Sequence, residues 1–273
     1  MRPHSARSLS YFSSPMECLP KFGGTCREVI HRAVMQQGSQ LTTASTATFG
    51  PFRENRLLQV LCVAMAVVLL ATGYQPEKVF DWWLENIAAL TFLAVLAVTW
   101  RRLPLSNLSY VLIFVYLSMH EWGAEYKYSD VPLGEWMKPW LGTTRNHYDR
   151  IMHFSYGLLL SYPMQEWFMR VVGVTSNWRY LLPVESTLAF SACYEMLEAF
   201  AASVLTPERG EEFVGMQGDM WDSQKDMFMA GLGALAAMLV IAVVRTALSR
   251  RKEAAIEAIA AAAGQSARYT PKR

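Results

Sequence analysis

Three stretches of this chain, Leu57–Tyr74, Leu103–Met119 and Met227–Val244, contain no Asp, Glu, Lys or Arg. That absence constrains the fold more than any motif. A helix crosses ~30 Å of hydrocarbon with about 20 mostly apolar residues, and stretches of roughly 18 qualify. A soluble helix of that length carries a polar face toward water; these carry none. Whole-chain averages conceal the point. A hydrophobic content of 52%, a charged content of 18% and a mean hydropathy of +0.14 would suit a greasy soluble protein, but here the charges are excluded from long runs.

The pattern predicts an all-α, polytopic membrane protein built as a six-transmembrane-helix bundle. The expected spans are about 57–74, 83–100, 103–120, 150–169, 180–205 and 227–245, within a membrane domain of residues 51–247. Residues 1–50 mix Ser, Thr, Gly, Arg and Gln without periodicity. They read as a disordered or misassigned amino-terminal tail, translation from Met35 being one version and a basic targeting segment another. Residues 248–273 read as a basic, Ala-rich tail with a short surface helix. Trp82, Trp83 and Trp100 bracket the second span as an interfacial aromatic belt does. With the amino terminus inside, the inner side collects Arg53, Arg56, Arg101, Arg102, Arg170, Arg179, Arg245, Arg250, Arg251 and Lys252. The positive-inside rule then places both termini in the cytoplasm.

A net charge of +2, without a basic stripe interleaved with aromatics, gives no reason to expect nucleic acid as a partner. The expected partners are the lipid bilayer and a lipid-like or envelope substrate. The four cysteines form no CxxC pair or zinc spacing. Cys62 and Cys193 fall in apolar helices and are expected to be packed thiols.

The same topology gathers the unusual polar residues at one face. The third span ends at His120, and the fourth opens on Asn146-His147-Tyr148-Asp149-Arg150-Ile151-Met152-His153. The fifth carries Glu195 and Glu198 in its outer half, and Asp219, Trp221, Asp222, Gln224, Lys225 and Asp226 open the sixth. Asp149 and His153 are i,i+4 and Glu195 and Glu198 are i,i+3, so each pair shares a helix face. Asp219, Asp222 and Asp226 form a stripe if the helix begins by Asp219. Ionisable groups inside a span face the bundle interior and need partners.

One partner is a divalent cation, and mixed His and carboxylate ligands favour zinc, iron or manganese. In that version His120, His153, Glu195 and Asp222 hold the metal and Glu198 or Asp226 is the catalytic base, with His147, Asp149, Asp219 and Lys225 completing the polar cluster. The chemistry would be metal-assisted hydrolysis or transfer. Two other readings fit the same pattern: a transporter or binding protein using the cluster as a proton or cation site, and a structural scaffold with Arg145, Arg150 and Lys225 as counter-ions. Asp219 and Asp149 also suit helix starts. His120-Glu121 opens like a HExxH zinc helix but lacks the second His, and there is no G-x-S-x-G elbow. Trp136 and Trp140, after Pro132 and Gly134, are expected to seat the outer loop on the lipid interface. Ala230, Gly231, Gly233, Ala234 and Ala237 give the last span a small-residue face for close helix packing.

The runs His120-x-x-Gly123-x-x-Tyr126-x-Tyr128, Asn146-His147-Tyr148-Asp149-Arg150-x-x-His153-Phe154 and Gly218-Asp219-x-Trp221-Asp222-x-Gln224-Lys225-Asp226-Met227 resemble the bacterial inner-membrane family typified by YjdF. That resemblance covers about residues 57–245 and implies a membrane protein without an assigned reaction. A fainter similarity is to VanZ-like membrane proteins, through Asp149-Arg150-x-x-His153-Phe154, Glu195, and Asp219-x-x-Asp222 running on to Gly231 and Gly233. At 198 and 226 that pattern favours amides, whereas this chain has Glu198 and Asp226; the added negative charge favours a cation.

Overall fold

A computed structural model describes residues 52–102, 105–214 and 217–266, so the expected tail at 1–50 lies outside the described residues. The described chain is helical: α1 Arg56–Tyr74, α2 Val79–Thr99, α3 Asn107–Glu125, α4 Pro132–Leu141, α5 Tyr148–Trp167, α6 Trp178–Ser203, α7 Pro207–Val214 and α8 Asp222–Ser266. A π-helical turn, Phe168–Val172, extends α5 and stops at Gly173 with φ 76°. Residues 49–248 form one compact unit. From Ser249 the chain belongs to a second unit, where α8 continues to Ser266 and is exposed through Ile259.

Each of the six segments expected to be helical contains a helix, the third beginning only at Asn107. Their starts follow local chemistry: the Asn55 side chain accepts from Leu58 N at 3.0 Å and opens α1, and Ser106 accepts from Ser109 N at 3.3 Å and opens α3. Both satisfy amides that a helix start leaves unpaired. Two helices were not expected. The segment read as a long loop contains α4, with Pro132 at its first turn and Gly142 beyond its end at φ 62°. The stretch before Gln217 contains α7, which opens on Pro207. The last helix also differs, since the surface helix expected after 248 is continuous with the span before it.

α1 and α2 pack on α3, α3 on α5, and α5 on α6. At one end, Glu77 N donates to Glu125 O at 3.0 Å and Tyr194 reaches Glu85. At the other, Asn55 Nδ2 meets Asn107 Oδ1 at 2.8 Å and Ser106 N meets Glu166. α1, α3 and α6 therefore finish where α2, α5 and α8 begin. The α5–α8 contact is backbone on backbone: a Cβ on Gly157 would lie 1.9 Å from the Ala230 carbonyl oxygen, and one on Gly233 2.0 Å from that of Phe154. The small-residue face of α8 is thus used for close approach.

Among the described residues, three helices are long and apolar enough to cross a membrane: Arg56–Tyr74, Val79–Thr99 and the Asp222–Ile259 part of α8. Val60, Val63, Val67 and Leu70 on α1, Phe190, Leu197 and Phe200 on α6, and Leu239 and Val243 on α8 all face outward. Apolar surface on that scale has no place in water. Cys62 and Cys193 lie on these outward faces as well, exposed and not packed as expected, because they sit on the apolar side of α1 and α6 away from the bundle. α3, α5 and α6 show the reverse polarity. Ser109, His120, Glu121, Ser155, Ser161, Gln165, Thr187, Ser191 and Glu195 are buried between helices.

Candidate functional site

At the end where α5 and α8 begin, α5 presents Asp149 and His153 on one face. Asp149 Oδ1 lies 3.6 Å from His153 Nε2. Glu195 Oε1 of α6 also comes to 3.4 Å from the same nitrogen. α8 supplies Asp226, and one ligand atom each from Asp149, His153 and Asp226 lie within 4.8 Å of one another. Asp226 is only 2% exposed, and its Oδ1 has no hydrogen-bond partner. A buried acceptor left without a donor is costly unless a proton or cation occupies the space before it.

Asp222, one turn before Asp226, is used differently. It accepts from Arg145 at 2.5 Å and from Arg150 at 2.9 Å. Arg150 also reaches Asp219 at 2.8 Å, and its Nε lies 3.8 Å from Asp226 Oδ1. Lys225 closes on Asp219 at 2.6 Å. Because α8 starts at Asp222, Asp219 lies in the preceding turn, where it accepts from Trp221 N at 3.1 Å. The three-residue stripe expected on the last span is therefore two residues, Asp222 and Asp226. Hydrogen bonds from Lys225 and Arg150 hold the Asp219 carboxyl well below the usual carboxylate range. His147, just before α5, has its pKa lowered by partial burial and by Arg150 and Arg145.

The other expected residues spread around this centre. His120 does not join the Asp149–His153–Asp226 group; its Nδ1 bonds the Tyr128 hydroxyl. That contact depends on a tight return of the chain. Lys127 and Tyr128 both have positive φ, at 55° and 54°, and Tyr128 N donates to Gly123 O at 2.8 Å. The Tyr128 ring lies where a Cβ on Gly123 would sit, 2.6 Å from Tyr128 Cε1. Glu198 is half-buried, one turn beyond Tyr194 on α6, within electrostatic range of Asp149, Glu195 and Asp226.

Several residues that sequence reasoning passed over belong here. Glu85 of α2 is buried and accepts from the Tyr194 hydroxyl at 2.8 Å, and the Tyr194 ring meets His153 edge-on, with centroids 6.4 Å apart. Asp81, one turn earlier, pairs with Arg209 of α7 at 2.8 Å. Above the site, buried Asn146 donates to Val131 O at 3.0 Å and to Glu135 at 2.9 Å, and its Oδ1 accepts from Tyr148 N at 3.1 Å. Its backbone exchanges bonds of 2.9 and 3.1 Å with the Gln217 side chain, tying the start of α5 to the approach to α8. Gly134 makes room for it, since a Cβ there would fall 1.6 Å from Asn146 Oδ1. At the opposite end Glu166 is fully partnered, by Ser106, Ser109 and Arg170.

Residues 57–247 match the family described as "Predicted membrane protein (DUF2238)". The chain is 34% identical over 187 residues to the inner membrane protein YjdF of Escherichia coli (strain K12), an alignment that covers 68% of this chain and 89% of that protein. No solved structure matches the chain. The likeness to VanZ-like proteins rests on the short motifs alone. This chain belongs to the DUF2238 family of predicted membrane proteins.

Proposed function

From that family membership, we propose that this protein crosses a bacterial inner membrane six times, with α1, α2, α3, α5, α6 and α8. We further propose that it holds a divalent cation in the half of the bundle facing away from the cytoplasm. The relative's description as an inner membrane protein supports the compartment. The inward-turned polar residues of α3, α5 and α6 support six spans, since helices polar toward one another and apolar outward suit lipid and not water. Arg101, Arg102, Arg170, Arg179 and Arg245 sit at the end opposite the site, which supports cytoplasmic termini and an outward-facing site.

The observation that carries the cation is the group Asp149, His153 and Asp226, one ligand atom of each lying within 4.8 Å of the others, with Asp226 Oδ1 buried and without a hydrogen bond, Arg150 Nε standing 3.8 Å away. Glu195 adds a fourth donor beside His153. Three or four mixed His and carboxylate donors suit zinc, manganese or iron. Of the metal ligands expected from sequence, His153 and Glu195 stay in this reading. Asp222 instead anchors Arg145 and Arg150, and His120 is set by Tyr128.

A metal bound here would polarise a substrate oxygen and bring its own water toward a pKa of ~7. Glu198 is the group placed to take a proton within the same chamber. Asp219 and Asp222 hold Arg145 and Arg150 beside the site, where an anionic headgroup would meet them. The reaction class is hydrolysis or group transfer on an envelope or lipid-like substrate. Elemental mass spectrometry of the detergent-purified protein tests this. Near-stoichiometric zinc, iron or manganese, lost in folded His153→Ala and Asp226→Asn variants, is the expected result. Absence of metal after anaerobic supplementation would overturn it and leave ion or proton passage, read by uptake into proteoliposomes.

A further inference from the structure

A second group of unpartnered polar atoms lies apart from His153, where α1, α2 and α3 meet. Glu121 of α3 is 1% exposed and Asn86 of α2 is 0% exposed, yet Glu121 Oε1 and Asn86 Oδ1 make no hydrogen bond. Asn86 Nδ2 donates to Trp82 O at 2.9 Å, which fixes the sense of the amide and makes Oδ1 the bare atom. The same side chain also bonds the Glu121 carboxyl, so both bare oxygens border one gap between α2 and α3. Trp82 Nε1 is buried without an acceptor as well. Its ring edge lies against α1, with Cζ2 2.9 Å from a Cβ placed on Gly73.

The residue before Gly73 supplies the third side of this gap. Thr72 Oγ1 lies 3.1 Å from Glu121 Oε2 and 3.1 Å from Val68 O. A hydroxyl has one hydrogen for these two acceptors. When it goes to Val68 O, the ordinary back-bond of a helical threonine, the hydroxyl and carboxylate oxygens face each other with no hydrogen between them. A cation touching both removes the conflict. A proton on Glu121 would bridge to Thr72 too, but it leaves Asn86 Oδ1 bare, and a bare buried acceptor is costly.

The donors select the ion. Glu121 brings one negative charge, while Thr72 and Asn86 bring neutral oxygens. A set of oxygens alone suits a hard cation. A divalent ion on a single carboxylate would leave a net charge in a low-dielectric bundle, so the charge matched here is one. His120, beside Glu121 in the chain, is turned instead to Tyr128. We propose that Glu121, Asn86 and Thr72 bind a sodium ion between α1, α2 and α3, independently of the divalent site. A water completing its shell takes the Trp82 N–H. α1 and α2 each pack on α3, and the ion joins all three.

Binding of radiolabelled sodium to the full detergent-purified chain, with choline chloride holding the ionic strength, tests this. One sodium per chain is expected, kept in Asp226→Asn and lost in Glu121→Gln. Thr72→Val, of nearly the same shape, should bind about tenfold more weakly through one lost contact to a charge. No sodium bound by the unaltered chain overturns the proposal whatever the variants do. Labelling of Glu121 by a hydrophobic carbodiimide, unslowed by sodium, would overturn it in favour of a proton site. Sodium binding that survives Glu121→Gln, or that folded Asp226→Asn loses, overturns the assignment to these residues. Where Glu121→Gln does not fold, unchanged affinity in Thr72→Val overturns it.

Discussion

Replacing Gly157 with alanine tests whether the site depends on the closeness of α5 and α8. The added Cβ would stand 1.9 Å from Ala230 O, 2.6 Å from Ala234 N and 3.0 Å from Ala230 C. All three are backbone atoms of a long helix, with no rotamer to move. A carbon needs ~3.3 Å from a carbonyl oxygen, so the helices must part by roughly 1.4 Å. Alanine by itself favours a helix over glycine by about 0.5–1 kcal/mol, and overpacking of this kind costs about 1–3 kcal/mol. The expected net loss is about 1–2 kcal/mol. Gly231→Ala, on the facing helix α8, is the control: its Cβ would meet only the tip of Leu188, at 2.9 Å, which can rotate away, so stability should change by less than ~0.5 kcal/mol or rise. Thermal unfolding in detergent, followed by tryptophan fluorescence, compares the two. Gly157 lies one turn beyond His153, so separation of the helices should also loosen Asp226 from His153 and weaken metal retention. Equal melting of the two variants would refute the close-approach argument.

Gly233→Ala, whose Cβ would lie 2.0 Å from Phe154 O, should match Gly157→Ala in the same assay. Asn146→Ala leaves the Tyr148 amide unpaired and severs the link to Glu135; a loss of about 2 kcal/mol and faster proteolysis between α4 and α5 are expected. The folded pKa of Asp219 is depressed, so its stabilising effect is present above the ordinary carboxylate value and is lost as pH falls through the lowered one. Acid unfolding of Asp219→Asn should therefore be flatter than that of the unaltered protein on the acid side. Trp136 and Trp140 are 64% and 76% exposed on α4; brominated lipids in reconstituted vesicles should quench their fluorescence more than a water-soluble quencher does, and the reverse order would place α4 in water.

How much of this was legible in the sequence depends on range. Charge-free runs mark α1, α3 and α8, because hydrocarbon penalises every ionised group along a span. The face shared by Asp149 and His153 follows from i,i+4 spacing alone, as does the one shared by Glu195 and Glu198. The pairing of His153 with Glu195 joins two helices, and spacing could only suggest it. Glu85 escaped notice because its partner Tyr194 is 109 residues away and nothing local distinguishes it from an acid at the edge of a span. Arg145 and Arg150 were recognised as counter-ions, yet only the fold shows that both converge on Asp222 and withdraw it from the metal group. α4 was readable and missed: Pro132 at its start and Gly142 at its end are ordinary helix punctuation, overlooked because the segment is short and lies between two longer helices.

The central claim is that His153 and Asp226, from different helices, hold one divalent ion. Pulsed electron paramagnetic resonance of the protein loaded with substoichiometric manganese(II) tests it most directly. The account predicts a nitrogen coupling from a bound imidazole, absent in His153→Ala and retained in His120→Ala and His147→Ala. A nitrogen coupling that survives in His153→Ala, or bound manganese with no nitrogen coupling at all, would contradict it.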